Sequence, residues 1–130
     1  MIKDLDLALK MADHADEISH KRFRAVDLLV ETKPDRSPVT DADKAVEARL
    51  RQVVAEYRPE DTFIGEEFEN TGSGSRNWIV DPIDGTANYL RGVPIWATLI
   101  ALRVDGVITT SVVSAPALGR RWWAQRGNGA

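Results

Sequence analysis

The chain has 130 residues, of which 43% are hydrophobic and 28% charged, with no cysteine and a net charge of −3. That length can bury a core without disulfides or a metal staple, and the missing cysteine excludes a disulfide framework, a thiol nucleophile and a cysteine-based zinc site. The acidic balance has the wrong sign for a nucleic-acid or anionic-membrane partner, and no apolar stretch approaches the roughly 20 residues of a spanning helix. The N-terminus, Met-Ile-Lys-Asp-Leu-Asp, has no apolar core of the signal-peptide kind. A reducing cytoplasm is the default expectation.

From Asp4 to about Val30, Leu5, Leu9, Ala12, Ala15 and Ile18 recur at helical spacing, which predicts a long amphipathic helix that no Gly or Pro interrupts. Residues 31–38 contain Pro34 and Pro38 among turn formers and read as a loop. Thr40 and Asp43 have the spacing of a capping box, with Asp in place of the usual Glu or Gln. Val46, Leu50, Val53 and Tyr57 then mark the buried stripe of a second helix, which Pro59 ends.

Beyond that point the period shortens. Thr62 to Glu67 is a short apolar run ending in acid, and 70–75 is a small, polar solvent loop. Trp78 to Asp81 reads as a strand that Pro82 prevents from continuing as a central one. Ile95 to Val104 and Val107 to Val113 flank Asp105-Gly106, a strong hairpin signal. Arg121 to Ala124 is a further strand, with one of Trp122 and Trp123 packing inward and the other on the surface or at an interface. There is no internal repeat. The order predicts an α+β fold, two helices layered on one face of a mainly antiparallel sheet.

Acid is unevenly distributed. Residues 71–130 hold only three acids, Asp81, Asp84 and the turn residue Asp105. Asp81 and Asp84 flank Pro82-Ile83 and precede Gly85-Thr86, where a tight turn can begin a helix. Two carboxylates facing one point beside backbone N–H groups would supply oxygen ligands for a hard cation and donors for a phosphate. A solvated turn capped by Asp81 is the plainer alternative. Glu66-Glu67 can likewise be a solvated edge, and Asp41 and Asp43 can serve only the dipole of the second helix. Gathered into one cleft, these acids would repel one another and favour bound divalent cations. His14 and His20 lie six apart on the first helix and read as surface or packing residues.

Three segments, Ser37-Pro-Val-Thr-Asp-Ala-Asp43, Gly65-Glu-Glu67 and Trp78-Ile-Val-Asp-Pro-Ile-Asp-Gly-Thr86, resemble in order and spacing the metal and phosphate motifs of the inositol monophosphatase family. Within it, Asn88 to Ala97, Val113 to Leu118 and Arg120 to Ala124 are most similar to the actinobacterial histidinol-phosphatase branch. The resemblance implies a layered αβαβα sugar-phosphatase-like fold, with residues 1–130 as its N-terminal metal- and phosphate-binding half. It implies that Glu66, Asp81, the carbonyl of Ile83 and Asp84 coordinate Mg²⁺, and that Asp43 serves a further, weaker metal and its water shell. Two or three ions are implied, with Mn²⁺ able to substitute. Asp84, Gly85 and Thr86 would hold the substrate phosphate, Thr86 and Glu66 would orient the attacking water, and Lys33 matches a loop lysine near the active site. Glu67 would be an outer or surface residue.

The implied activity is Mg²⁺-dependent hydrolysis of a small phosphorylated alcohol, L-histidinol phosphate in histidine biosynthesis, with inositol 1-phosphate as the rival substrate. A non-catalytic binding or regulatory protein of the same fold is the alternative of another class. The resemblance also implies a homodimer when full length, to which apolar residues between Val93 and Val113 would contribute. Members of the family are about twice this long, and their last metal-binding aspartate, in a Trp-Asp pair, is missing from these 130 residues. The expectation is therefore a partial chain that is inactive alone.

Overall fold

The computed structural model describes residues 1–130. Two helices, α1 (Asp4–Arg22) and α2 (Asp41–Tyr57), cover one face of a five-stranded sheet. A small hairpin, β1 (Val30–Thr32) and β2 (Pro38–Thr40), lies between the helices in sequence. The sheet comprises β3 (Thr62–Ile64), β4 (Arg76–Asp84), β5 (Ala97–Val104), β6 (Val107–Ala115) and β7 (Arg120–Gln125), paired in that order. β3 runs parallel to β4 and every other pairing is antiparallel. A short helix, α3 (Thr86–Leu90), follows β4 directly. This is the α+β layering that the sequence predicts, and no helix is long and apolar enough to cross a membrane.

Alternation along the strands points Trp78, Val80, Ile100, Leu102 and Val112 at the helices, where they meet Leu7, Met11, Val46, Leu50 and Val53 in one buried cluster. Alanines at 8, 12 and 15 of α1 are fully buried, and their small side chains let this helix lie close against its neighbours. The buried stripe of α1 is Leu7, Ala8, Met11, Ala12, Ala15 and Ser19, while Leu5, Leu9 and Ile18 flank it rather than form it. At the far end of the sheet, Asp61 accepts hydrogen bonds from the Trp78 indole at 2.8 Å and from Arg76 at 3.2 Å, tying β3 to β4. Asp105 and Gly106 both have positive φ, 50° and 81°, as a type I′ hairpin turn demands.

Four local expectations are corrected. The first helix ends at Arg22 rather than near Val30, although no Gly or Pro marks the stop. Phe23 leaves the helix to pack, tilted, against Tyr89 and Trp96 with ring centroids 5.5 and 5.3 Å away, and Arg24 turns left-handed to bind the Gly92 carbonyl at 2.7 Å. Residues 31–38 are not simply a loop: β1 and β2 pair, and the Lys33 N–H donates to the Ser37 carbonyl at 2.9 Å across the turn. β4 continues past Pro82, because a bulge between Asp81 and Asp84 takes the proline out of the ladder. Trp122 and Trp123 are both about half exposed, at 51% and 48%, since β7 is the outer strand and α1 lies over β5 and β6.

Candidate active site

Parallel pairing of β3 with β4 brings the acidic segments together. In their register Ile64 lies opposite Ile79, so both strands point their C-terminal ends at the same sheet edge. Two residues further along each chain stand Glu66 and Asp81. The bulge then re-aims the backbone, Asp84 closes β4 against Ala97, and Ile83 turns inward to pack with Ala42, Tyr89 and Trp96. The Thr98 hydroxyl donates to the Pro82 carbonyl at 2.8 Å and fixes the bulge from β5.

Gly85 starts α3 with φ of 88°, and a Cβ there would press on the Ile95 carbonyl at 3.1 Å. The first α-type bond of α3 runs from the Tyr89 N–H to the Gly85 carbonyl at 2.9 Å, so the amides just before it have no acceptor within the helix. Tyr89 anchors the short helix from beneath: its hydroxyl donates to the Ser19 carbonyl at 2.8 Å, and burial raises its pKa above the ordinary tyrosine value.

Asp43 joins two of the three motifs. The capping box forms as the spacing predicts: Asp43 Oδ2 accepts from the Thr40 N–H at 2.8 Å and the Thr40 hydroxyl at 2.6 Å, while the Asp43 N–H donates back to that hydroxyl at 3.2 Å. Its other oxygen, Oδ1, lies 3.0 Å from the Thr86 hydroxyl, which is also 3.0 Å from the Ile83 carbonyl. With 2% exposure and both oxygens engaged, Asp43 orients Thr86. Lys33, on the β1–β2 turn, reaches Glu67 at 2.9 Å. Burial works against the Lys33 ammonium, yet the Glu67 bond and the nearby charges of Glu66 and Asp43 hold its pKa above the ordinary lysine value. Glu67 is no surface residue: its side chain is 4% exposed, and burial pushes its carboxyl above the usual range against the pull of Lys33.

Asp81 carries the clearest tension. Burial, followed by the charges of Glu66 and Asp84, pushes its pKa up to about 7, and its buried Oδ1 has no hydrogen-bond partner. No three acidic or histidine side chains close on a common point tightly enough to enclose an ion. The donors present are nonetheless all oxygen, crowded and partly unsatisfied, which suits a hard divalent cation such as Mg²⁺. His14 and His20 take no part; the first is partly buried on α1 and the second exposed.

One residue of this corner has no signal in the motifs. Glu47 is fully buried, and its Oε1 accepts from the backbone N–H groups of Glu66 and Glu67 at 2.7 and 2.8 Å. Its Oε2 accepts from the Phe68 N–H at 2.9 Å and from Arg51 at 3.0 Å. The available signal was an acid on the apolar stripe between Val46 and Leu50, with an arginine four residues on.

Known proteins match nearly the whole of this chain. Residues 3–130 match the Inositol monophosphatase family. A histidinol-phosphatase of Mycobacterium tuberculosis is 61% identical over 98% of this chain and 49% of its own length. A second, from Streptomyces coelicolor, is 54% identical over 99% of this chain and 50% of its own. Among solved structures, the extragenic suppressor protein SuhB of Bartonella henselae superposes with a TM-score of 0.90 at 32% identity, over 95% of this chain and 49% of that one. The chain thus spans about half the length of the curated relatives it matches. On its sequence motifs, its strand register and these matches, it belongs to the inositol monophosphatase family.

Proposed function

We propose that this chain is the N-terminal metal- and phosphate-binding half of a Mg²⁺-dependent phosphomonoesterase that hydrolyses L-histidinol phosphate to L-histidinol and phosphate. The observation that carries the phosphatase reading is Asp81, a half-buried carboxylate whose one fully buried oxygen has no partner, pressed by Glu66 and Asp84 at the end of β4. A structural acid would be paired. The substrate assignment is supported by similarity to two histidinol-phosphatases along nearly the whole chain.

In this reading Glu66, Asp81, the Ile83 carbonyl and Asp84 would hold Mg²⁺. When bound, the metal neutralises phosphate oxygens, acidifies a water and stabilises the leaving alkoxide. The chain's own groups do the rest. Backbone N–H groups of Gly85 and Thr86 receive phosphate oxygens where the left-handed Gly85 opens α3. The Thr86 hydroxyl, held by Asp43, would orient the attacking water together with the Glu66 carboxylate. Lys33 remains protonated beside Glu67 and adds positive charge at the mouth of the site.

The test is steady-state hydrolysis of L-histidinol phosphate and inositol 1-phosphate by the full-length protein with Mg²⁺. The expected result is a higher kcat/KM for histidinol phosphate. Equal or better turnover of the inositol ester overturns the substrate assignment, and no turnover of either overturns the phosphatase reading. The 130-residue chain alone is expected to show no enzymatic rate, because the Trp-Asp ligand of the family lies outside it.

A further inference from the structure

We infer that Glu47 is a positioning residue of this site: its buried carboxylate is the template on which turn 66–68 forms, and through that turn it sets where Glu66 stands toward a divalent cation. The inference rests on the metal-site reading above. It starts from a placement that packing alone does not explain. Glu47 occupies the inward stripe of α2 between Val46 and Leu50, both fully buried, where an apolar side chain would fill the same space without desolvating a charge.

The carboxylate is instead used completely. Three successive backbone N–H groups, those of Glu66, Glu67 and Phe68, converge on it at 2.7, 2.8 and 2.9 Å. Arg51, one helical turn further along α2, binds Oε2 through two nitrogens at 3.0 and 3.1 Å and neutralises the buried charge. The same guanidinium donates to the Phe68 carbonyl at 3.1 Å and lies 4.6 Å from the centre of the Phe63 ring. Glu47 and Arg51 therefore grip both ends of the turn.

Gly65 completes the device. A Cβ at this position would coincide with the Glu47 carboxylate, so only glycine lets the acid reach the amides of the turn. In the Gly-Glu-Glu run the glycine thus admits Glu47. The turn carries two functional side chains at once, Glu66 toward Asp81 and Glu67 toward Lys33. A turn anchored by three amides leaves the Glu66 backbone less freedom to lose when the exposed side chain takes up a metal, which is the role outer groups play around metal ligands.

The experiment is a calorimetric Mg²⁺ titration of the full-length protein without substrate, comparing wild type with Glu47→Gln, Asp84→Asn and Val54→Ala. A glutamine keeps the size of Glu47 but accepts on one side only, so one group of donors loses its partner. Mg²⁺ affinity of Glu47→Gln is expected to fall about 10- to 100-fold. Its activity should recover at saturating Mg²⁺, so that the Mg²⁺ requirement moves more than kcat. Val54→Ala, a core change on the same helix, should lower Tm and leave the affinity unchanged, which separates positioning from general destabilisation. If Asp84→Asn loses Mg²⁺ binding while Glu47→Gln stays within about twofold of wild type, the role of Glu47 is overturned and the metal site stands. If Asp84→Asn binds Mg²⁺ as wild type does, the metal-site reading falls and this inference with it. Should Glu47→Gln fail to fold, Gly65→Ala, which removes no polar group and only displaces the carboxylate, is judged by the same thresholds.

Discussion

The two halves of α2 face the same interior and are held there by opposite means. Its C-terminal half presents Leu50, Val53 and Val54 to α1 and the sheet, a contact that is apolar and non-directional. Its N-terminal half sends only Val46 into that cluster and adds two acids, Asp43 and Glu47, each accepting hydrogen bonds from particular groups of other segments. Apolar packing tolerates swaps that conserve volume, whereas replacing a buried acceptor leaves its donors unpaired. One helix therefore supports the fold at one end and aims the site at the other, and substitutions at the two ends should separate stability from chemistry.

The largest expected effect is at the site. Asp84→Asn in the full-length protein should lower kcat/KM about a thousandfold, corresponding to several kcal/mol of lost charge stabilisation. The metal-free protein should be no less stable, because the substitution also removes a charge that crowds Asp81. Thermal unfolding in chelator beside kinetics in Mg²⁺ reads both quantities, and a large loss of Tm would show that Asp84 holds the fold as well. Leu50→Ala is the counterpart in the other half of the helix. It should cost about 3 kcal/mol in urea unfolding and leave Mg²⁺ affinity where it was. A joint fall in both would mean that the core and the site are one mechanical unit.

These contrasts follow which features were legible in the sequence. The Thr40–Asp43 cap, the Asp105-Gly106 turn and the run from Asp81 to Thr86 are local, so residue type and spacing specify them. The end of α1 is not local: Phe23 leaves the helix because Tyr89 and Trp96, more than sixty positions away, offer it a better contact. The β1–β2 pairing was obscured by prolines that sit in its turn and at its edge. For the two indoles of β7 alternation predicts sides, whereas exposure depends on what covers each side. For Glu47 the motifs are silent because its partners are mostly backbone amides, which carry no residue-type signature; only an acid on an apolar stripe, with Arg51 four residues on, marks it.

A smaller effect concerns protons. Between the ordinary aspartate pKa of 3.8 and the value of about 7 that burial and the Glu66 and Asp84 charges give Asp81, the folded metal-free protein holds a proton that the unfolded chain has released. The unfolded state binds fewer protons there, so the stability associated with this group is present at low pH and declines as pH rises through that window. Metal-free Tm should accordingly fall between about pH 5 and pH 7, and Asp81→Asn should flatten that fall. Mg²⁺ uptake near pH 6 should release a proton, seen as a calorimetric enthalpy that changes with the ionisation enthalpy of the buffer. Uptake without proton release would place the cation away from Asp81.

The smallest effect tests where the boundary within α2 lies. Thr40→Ala removes the hydroxyl that accepts from the Asp43 N–H and donates to Asp43 Oδ2, but leaves the Thr40 N–H on Oδ2 and the Thr86 hydroxyl on Oδ1. Loss of such a cap costs about 1 kcal/mol, and Thr40→Ser should restore it. If Asp43 is fixed mainly by its position in the first turn, kcat/KM should fall only a few-fold, because Thr86 keeps its partner. A fall of more than about tenfold against a cap-sized loss of stability would mean that the Thr40 hydroxyl aims Asp43 and, through it, Thr86. The capping box would then belong to the site, which would run from the N-cap of α2 through Glu47.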